Sequence, residues 1–323
     1  MSAGGKHVTL VLDCMERILV IKHGALGDFV LQIGSMMALK EKHPEAHFSL
    51  LTSSPYVQMA KQMGMFSEII VDNRRSPVFL LENIRVLRAV LGGKFDIIYD
   101  FQGTQRAQTY RKLWKWLMPA GDYVWHVAWG TLYRLSKKCR WCWKIEEEKV
   151  APPRRMTNLL FMHGEEKYFH LLPERYVMLI PGCSPQHPHK RWPVESFREI
   201  VRRLAERGIS SVVIGTKAEQ MECDAICRDM PLAVNMVGRT QMMDIPQVAH
   251  RALAVLGNDT GPTHMSAFSG VHTIGVYDKR HCRGILRGPD CTNLVSEGVV
   301  GLISPDEVWK HLEPHLERKD EAC

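Results

Sequence analysis

One stretch of the chain places a carboxylate, a hydroxyl, a glycine and an imidazole together: Asp259-Thr260-Gly261-x-x-His264, directly after the apolar run "LAVLGN". A threonine at the cap and Pro262 at the first helical position are typical of a helix start. The N–H groups exposed at such a start, with the positive end of the helix dipole, attract phosphate. We therefore predict that Thr260, Gly261 and His264 contact phosphate. Asp259 repels phosphate, so it is expected to bind hydroxyl groups of the same ligand.

A second loop, "PGCSPQHPHKRWP" at 181–193, also follows an apolar run and precedes an amphipathic stretch. A loop rich in glycine, serine and proline is able to wrap around a pyrophosphate, and Lys190 would supply a positive point charge to its oxygens. Taken alone, Lys190 is equally well interpreted as a surface lysine that contacts only water. Together with the first stretch, it indicates a diphosphate site.

A third stretch, "KHGALGDFVLQ" at 22–32, places a carboxylate after a glycine turn. Asp28 begins a predicted helix, and a helix N-terminus favours the ionised form of a carboxyl group. Asp28 is therefore a candidate proton acceptor, with an ordinary helix-start aspartate as the alternative. The spacing is not G-x-G-x-x-G, so the pattern does not require a dinucleotide-binding dehydrogenase.

Two other interpretations of the first stretch compete with phosphate binding. Asp-Thr-Gly is also the active-site triplet of aspartic proteases, which need two carboxylates that share a proton. The chain has one such triplet, and it opens a helix in an α/β setting, so the protease class is disfavoured. The second interpretation, that Asp259 and Thr260 only cap a helix, stays open.

The elements that must position these loops alternate between strand-like and helix-like patterns. Apolar runs such as "RILVIKH", "HFSLLT", "SEIIVD" and "FDIIYD" are followed, after a proline-rich connection near 151–176, by "YVMLIPG", "SSVVIG", "LAVNMVG", "LAVLGN" and "HTIGVY". Amphipathic stretches lie between them. This alternation predicts two α/β domains with parallel sheets, which bind ligands at the carboxyl ends of their strands.

Composition narrows the class of protein. The chain has 323 residues, 45% of them hydrophobic, and no apolar run approaches the length of a membrane helix. Nine cysteines at scattered spacings predict reduced thiols in a cytoplasmic protein, and Cys139-x-x-Cys142 has no second pair to complete a zinc site. The amino-terminal stretch lacks the pattern of a signal peptide.

The net charge of +7 is concentrated in one segment. Residues 105–155 contain twelve Lys or Arg against four Asp or Glu, and six of the eight tryptophans. Such a segment favours an anionic partner, such as phospholipid headgroups or a phosphorylated glycolipid. The plainer alternative is a solvated helical insert whose tryptophans pack inward. No nucleic-acid-binding motif accompanies the charge.

With "YDFQG" at 99–103 and "GTKAE" at 215–219, the three stretches resemble glycosyltransferase family 9, the ADP-heptose:lipopolysaccharide heptosyltransferase family. The resemblance runs from about Arg17 to the last helix, and "GNDTGPTH" at 257–264 is its most specific part. It implies the GT-B fold, with two facing Rossmann-like domains and an interdomain cleft. The expected divisions are an acceptor-binding domain at 1–165, a donor-binding domain at 166–304, and a terminal helix at 305–323 that packs back on the first domain.

The resemblance also implies residue roles. Asp28 would be the general base of an inverting transfer, and Lys190 would steady the donor diphosphate. Glu219 would hold the adenosine ribose and Ser184 would supply the loop hydroxyl that touches phosphate. Asp259 would contact sugar hydroxyls, while Thr260, Gly261 and His264 would cradle phosphate. No cofactor is expected and no metal, because no clustered set of Asp and His ligands stands out.

The acceptor side is expected to use Gly27, Gln102 and Arg106, with Arg111, Lys112 and Lys115 meeting anionic groups of a lipid A-type glycolipid. This implies a cytoplasmic protein in peripheral contact with the inner membrane.

The chain departs from the family pattern in two places. Ser184 stands six residues before Lys190, where many members have four, so the phosphate-binding group could be the Cys183 N–H, Ser184 or His187. The segment "VYDKRHCRGILRGP" lacks the usual Phe-Gly-Pro sequence. Both departures leave the identity of the donor open, more than the type of reaction. The competing functions are a GT-B nucleotide-sugar epimerase and a non-catalytic, membrane-associated protein that binds nucleotide sugars.

Overall fold

A computed structural model describes residues 15–74, 79–117, 124–129, 134–138, 146–149, 170–280, 285–286, 288 and 290–317. The chain divides into two compact units. The first comprises residues 1–23 and 35–151, and the second comprises residues 24–34 and 152–323. The first turns of the helix that follows the "GALGD" turn therefore belong to the second unit. The proline-rich connection predicted near 151–176 falls largely outside the described residues.

The sheet of the first unit has seven strands within the described residues, in the order β3-β2-β1-β4-β5-β6-β7. These strands are β1 (Arg17–Ile21), β2 (His47–Thr52), β3 (Glu68–Val71), β4 (Ile97–Asp100), β5 (Val124–Trp129), β6 (Arg134–Lys138) and β7 (Glu146–Lys149). The first five strands in this order pair in parallel. The pairs β5–β6 and β6–β7 are antiparallel, which the sequence did not predict.

Within the described residues, four helices accompany this sheet in the sequence: α1 (Leu26–Lys42), α2 (Val57–Gln62), α3 (Leu80–Gly92) and α4 (Gln105–Leu117). Val86 and Val90 of α3 pack with Leu19, Ile21 and Ile98 of the sheet in one buried cluster. Their spacing of four residues puts both on the same face of the helix. The basic, tryptophan-rich segment thus begins as a helix and continues as sheet strands.

The sheet of the second unit has the order β10-β9-β8-β11-β12-β13, and every pair is parallel. Its strands are β8 (Tyr176–Ile180), β9 (Ser210–Val213), β10 (Ala233–Asn235), β11 (Ala254–Asn258), β12 (Thr273–Asp278) and β13 (Cys291–Ser296). This is the strand order of a doubly wound nucleotide-binding domain, in which the order reverses between the two central strands. The predicted α/β class with two largely parallel sheets is confirmed.

The helices of the second unit are α5 (Val194–Glu206), α6 (Gln220–Cys227), α7 (Ile245–His250), α8 (Gly261–Ser266) and α9 (Pro305–Leu312). In α5 the apolar residues recur at spacings of three and four and are all buried: Phe197, Ile200, Val201 and Leu204. Each such side chain stabilises the fold by about 1.5–3 kcal/mol when it leaves water. No helix among the described residues has the length and apolarity needed to cross a membrane.

The terminal helix α9 packs in the core of the second unit, and its expected contact with the first domain stays a prediction. Val308, Leu312 and Leu316 are buried in the core of the second unit, in the same cluster as Val276 of β12. Their spacing of four residues forms one apolar stripe, which this core covers completely. The Ser304 hydroxyl accepts a hydrogen bond from the Glu307 N–H and so caps the helix start.

Replacing Leu312 with alanine tests this placement. The side chain is fully buried, so its truncation should lower the free energy of unfolding by about 2–5 kcal/mol. The exposed neighbour Lys310 provides the control, because Lys310→Ala should change stability by no more than about 0.5 kcal/mol. Urea unfolding followed by circular dichroism measures both. Equal, small effects would contradict the packing of α9 in this core.

Candidate functional site

A cavity of about 830 Å³ opens at the carboxyl ends of the strands of the second unit. It lies beside Ile180 at the end of β8, Ile214 after β9 and Asp259 after β11. Because β8 and β11 are neighbours at the point where the strand order reverses, the loops that follow them emerge side by side. Strand topology therefore brings the second and first sequence stretches together.

The cavity lining contains all the residues predicted to be catalytic or to bind the donor, and also Gly27. These residues are Gly27, Asp28, Ser184, Lys190, Glu219, Asp259, Thr260, Gly261 and His264. All of them belong to the second unit, because residues 24–34 cluster with it. The third stretch thus faces the same cavity as the other two.

The "GALGD" turn and the Asp-Thr-Gly turn are in close contact through two glycines. A Cβ atom on Gly261 would lie 2.6 Å from Cγ and 2.7 Å from Cβ of Leu26. A Cβ atom on Gly27 would lie 3.1 Å from Cδ2 of His264. Any larger residue at Gly261 would push the turns apart, since non-bonded carbon atoms prefer about 3.5–4.0 Å. Glycine is needed here for close approach and not for an unusual backbone angle.

Lys190, Asp259 and His264 form a charged cluster on the cavity wall. Lys190 Nζ donates a hydrogen bond of 2.6 Å to Asp259 Oδ2, and His264 Nε2 lies 3.4 Å from Asp259 Oδ1. Burial alone would raise the pKa of Asp259, but the hydrogen bonds from His264 and Lys190 outweigh it and hold the pKa below its usual value. Asp259 is therefore an ionised carboxylate that already binds a cation.

A buried amide positions this cluster. Asn258 is fully buried at the end of β11. Its Oδ1 accepts a hydrogen bond of 3.0 Å from the Trp192 N–H, and its Nδ2 donates one of 2.6 Å to the Pro181 carbonyl. The Trp192 indole is itself anchored by a 2.9 Å bond to the Ile303 carbonyl. Asn258 thus fixes both ends of the loop that carries Lys190, a role that the sequence analysis missed.

The two hydroxyls predicted to meet phosphate are not used for capping. Thr260 is the N-cap residue of α8, yet its side chain makes no capping hydrogen bond. Ser184 is exposed, and its carbonyl accepts a turn-forming bond from the His187 N–H. Asp259 binds Lys190 and His264, and the Thr260 side chain makes no capping hydrogen bond. Neither residue therefore caps α8 through its side chain. This geometry disfavours the interpretation in which both residues serve only as caps.

Glu219 lies in the cavity wall and is held by Thr216. Its Oε2 accepts hydrogen bonds from the Thr216 N–H and hydroxyl, which completes a capping box at the start of a short 3-10 turn. Gly182 makes room for it, because a Cβ there would lie 2.8 Å from Glu219 Cγ. The Oε1 atom is left to accept a bond from a ligand.

Asp28 stands in the first turn of α1 and is exposed. Its carboxylate has no hydrogen bond or ion pair with the described residues. It contrasts with Asp259, whose carboxylate is bound by a lysine and a histidine. Of the three carboxylates that line the cavity within the described residues, Asp259 and Glu219 are bound by neighbouring residues and Asp28 is open to a ligand.

Gln102 and Arg106, predicted acceptor contacts, are bonded within the first unit. Gln102 Oε1 accepts a hydrogen bond from the His23 N–H. Arg106 binds Asp72 through Nε and Nη2, at 2.9 and 2.7 Å. Burial raises the pKa of the Asp72 carboxyl, but hydrogen bonds from His23, Arg106 and Tyr110 hold it far below its usual range. Asp72 is the residue that ends the run "SEIIVD", a signal that the sequence analysis did not use.

Arg280 is a further lining residue that was missed. Its Nε and Nη2 atoms donate hydrogen bonds of 3.0 and 2.8 Å to Asp278 at the end of β12. In the segment "VYDKRHCRGILRGP" at 276–289, which departs from the family pattern, residues 281–284, 287 and 289 lie outside the described residues. Of the six tryptophans in the basic segment, only the side chain of Trp116 is described, and it is 75% exposed.

Comparison with known proteins shows what part of the chain is similar to. Residues 146–283 match the model of "Glycosyltransferase family 9 (heptosyltransferase)". The lipopolysaccharide core heptosyltransferase OpsX of Haemophilus influenzae is 25% identical over 105 residues, which span 31% of this chain and 29% of that protein. The aligned region therefore covers less than a third of this relative.

Two solved structures show the same fold. The E. coli heptosyltransferase WaaC with ADP has 16% sequence identity and a TM-score of 0.71, over 93% of this chain and 99% of that one. The E. coli ADP-heptose LPS heptosyltransferase II has 17% identity and a TM-score of 0.70, over 93% and 98%. The predicted GT-B fold class is thereby confirmed.

The contact between the two turns predicts an energetic coupling between Leu26 and Gly261. Gly261→Ala should lower the free energy of unfolding by about 1–3 kcal/mol, because the new methyl overlaps Leu26. In the Leu26→Ala background the same change should cost less, with a coupling of about 0.5–3 kcal/mol in a double-mutant cycle. Gly92→Ala is the control, since a Cβ there has no atom within 4 Å. Additive effects of Leu26→Ala and Gly261→Ala would contradict the contact.

Proposed function

We propose that the protein is an inverting glycosyltransferase, on the premise that residues 146–283 match the model of glycosyltransferase family 9 (heptosyltransferase). Its donor is a nucleotide-diphosphate sugar, ADP-heptose or a related sugar, and its acceptor is a lipopolysaccharide core or lipid A-type glycolipid. One observation carries the proposal: the open carboxylate of Asp28 and the cluster of Lys190 and Asp259 line one cavity.

In the proposed reaction, an acceptor hydroxyl oxygen attacks the anomeric carbon of the sugar on the face opposite the diphosphate. The bond from the anomeric carbon to the phosphate oxygen breaks, and the nucleoside diphosphate leaves with the electron pair. The hydroxyl proton passes to Asp28, which no other side chain of the described chain engages. A single displacement of this kind inverts the configuration at the anomeric carbon.

Lys190 is proposed to stabilise the charge that builds on the leaving diphosphate. Its ammonium group binds Asp259, so the incoming diphosphate has to share that cation. Asp259 stays ionised and is then available to accept hydrogen bonds from sugar hydroxyls. The Thr260 hydroxyl and the N–H groups near Gly261 are proposed to contact phosphate, beside His264 and Ser184.

Glu219 is proposed to hold the ribose. Its Oε2 is fixed by Thr216, so the carboxylate is oriented before the ligand arrives. Such preorganisation lowers the entropic cost of binding. A ribose hydroxyl donating to Oε1 would satisfy the second oxygen of this nearly buried carboxylate.

The acceptor contacts remain proposals. Gly27 lines the cavity, whereas Gln102 and Arg106 would have to share hydrogen bonds that they now make with His23 and Asp72. The exposed Trp116 and the lysines of α4, Lys112 and Lys115, support a peripheral contact with an anionic membrane leaflet. That contact would place the enzyme on the cytoplasmic face of the inner membrane.

Asp28→Asn tests the general base. The change should lower kcat for sugar transfer by about 10²–10⁴-fold and leave the Kd of the donor nucleotide unchanged. The control is Glu195→Gln, since Glu195 is another carboxylate in a first helical turn but is 87% exposed and outside the cavity. Radiolabelled transfer and isothermal titration calorimetry measure the two quantities. Substantial transfer by the Asp28→Asn variant would remove this residue as the base.

The same assay separates the competing functions. A transferase consumes the donor only when an acceptor is supplied, apart from slow hydrolysis. An epimerase would convert the donor without any acceptor, and a non-catalytic binding protein would leave every donor unchanged. Either of these results with the wild-type chain would overturn the proposal.

Lys190→Met tests the diphosphate site. A thermal-shift screen of ADP-, GDP- and UDP-sugars should identify one nucleotide that raises Tm of the wild-type protein. The Lys190→Met variant should lose most of that shift, because the charge that meets the diphosphate is gone. Lys310→Met, which removes an exposed cation outside the cavity, should keep it. Equal shifts in the two variants would show that Lys190 does not contact the diphosphate.

A further inference from the structure

A second group of chemically active side chains lies at the amino ends of the strands in the second unit's sheet, at the end opposite to the cavity. His272 directly precedes β12 and Asp290 directly precedes β13, at the amino ends of these strands. The cavity lies at the carboxyl ends. Since Thr273 pairs with Cys291, the register places His272 next to Asp290. His315 joins them from a 3-10 turn, Glu313–His315, after α9.

The three side chains are close enough to share one ion. The ligand-type atoms of His272, Asp290 and His315 all lie within 4.8 Å of one another. A tetrahedral zinc ion with bonds of about 2.0–2.1 Å holds its ligand atoms roughly 3.3 Å apart. The sequence does not reveal this cluster, because its residues are far apart in the chain and meet only in the folded structure.

We propose that His272, Asp290 and His315 bind a divalent transition-metal ion of the zinc class. Two imidazole nitrogens and one carboxylate oxygen are ligands that zinc accepts, whereas magnesium and calcium prefer sites made of oxygen alone. Asp290 is 52% exposed, so an ion can enter from solvent and keep a water molecule as its fourth ligand.

The hydrogen bonds of His272 prepare it for this role. Its Nδ1 lies 2.6 Å from Asp290 Oδ1, and its Nε2 lies 3.2 Å from Thr292 Oγ1. The metal ion would take the place of the proton between Nδ1 and Oδ1, and the imidazole, which stays neutral, would carry its one proton on Nε2 instead. The Nε2–H group then donates to the Thr292 hydroxyl, an outer-shell bond that orients a ligating imidazole.

His315 has to turn to complete the site. Its ring is stacked on that of His272, with centroids 3.6 Å apart and an interplanar angle of 4°. Parallel stacked rings do not aim their nitrogen lone pairs at one point. Rotation about the side-chain bonds of His315, which is partly exposed on a short turn, brings a nitrogen towards His272 Nδ1 and Asp290.

Bound metal would tie the segment after α9 to the sheet and stabilise the fold by mass action. The test uses the full chain, freed of metal with a chelator, and zinc as the probe. Thiols also bind zinc, so the quantity that decides is the difference between variants. His315→Ala and Asp290→Asn should each lose one equivalent of zinc in equilibrium dialysis, together with the zinc-dependent rise in Tm.

His311→Ala is the matched control, because His311 lies on α9 outside the cluster. It should bind zinc with the stoichiometry and the Tm shift of the wild-type chain. The two test residues are on the surface side of the cluster, so their variants are expected to fold, and circular dichroism checks this. Magnesium should produce no shift. Equal zinc stoichiometry in wild type, His315→Ala and Asp290→Asn would overturn the proposal, as would a wild-type chain that binds no zinc.

Discussion

The close packing of two turns is the constraint on which the site depends. Leu26 and Gly27 lie against Gly261 and His264 with no space for a larger side chain at Gly261. This contact places the start of α1 beside the loop after β11. A carboxylate with no partner among the described residues thereby faces the same cavity as a carboxylate that binds a lysine. Neither turn forms the site alone, and the two are more than 230 positions apart in the sequence.

The second requirement is electrostatic. Lys190 is drawn to the cavity wall by Asp259, and Asn258 holds the loop that carries it. A partly buried ammonium group without a partner would be costly, and so would a partly buried carboxylate. In the ion pair of Lys190 with Asp259, each charge compensates the other. A diphosphate that enters the cavity meets a cation already in position, and Asp259 is left to hydrogen-bond with hydroxyl groups.

Much of this arrangement could be predicted from the sequence. The apolar runs of β1, β2, β8, β9 and β11 are recognisable because buried parallel strands are almost continuously apolar. Four strands were missed, β5 among them; the other three are β6, β7 and β13. Their sequences, "RLSKK", "EEEK" and "CTNLVS", mix charged and polar residues and show no such run. The α/β class followed from the central strands alone.

The site residues next to glycines were predictable for a similar reason, since glycine, proline and a polar residue after an apolar run mark a loop at a strand end. The buried residues that hold those loops were not. In the sequence, Asn258 is one of several polar residues in "GNDTG". Its role depends on hydrogen bonds to the distant Trp192 N–H and Pro181 carbonyl, which the local sequence does not reveal. The contacts of Asp72 and the meeting of His272 with Asp290 likewise arise from strand register, which local patterns do not encode.

A crystal structure of the full chain with a non-transferable nucleotide-diphosphate sugar tests the central claim most directly. We expect diphosphate oxygens within about 2.7–3.2 Å of Lys190 Nζ, next to Thr260. The Asp28 carboxylate should lie across the sugar ring, on the face opposite the diphosphate. A diphosphate bound away from Lys190, or an Asp28 carboxylate on the same face as the leaving group, would contradict the account.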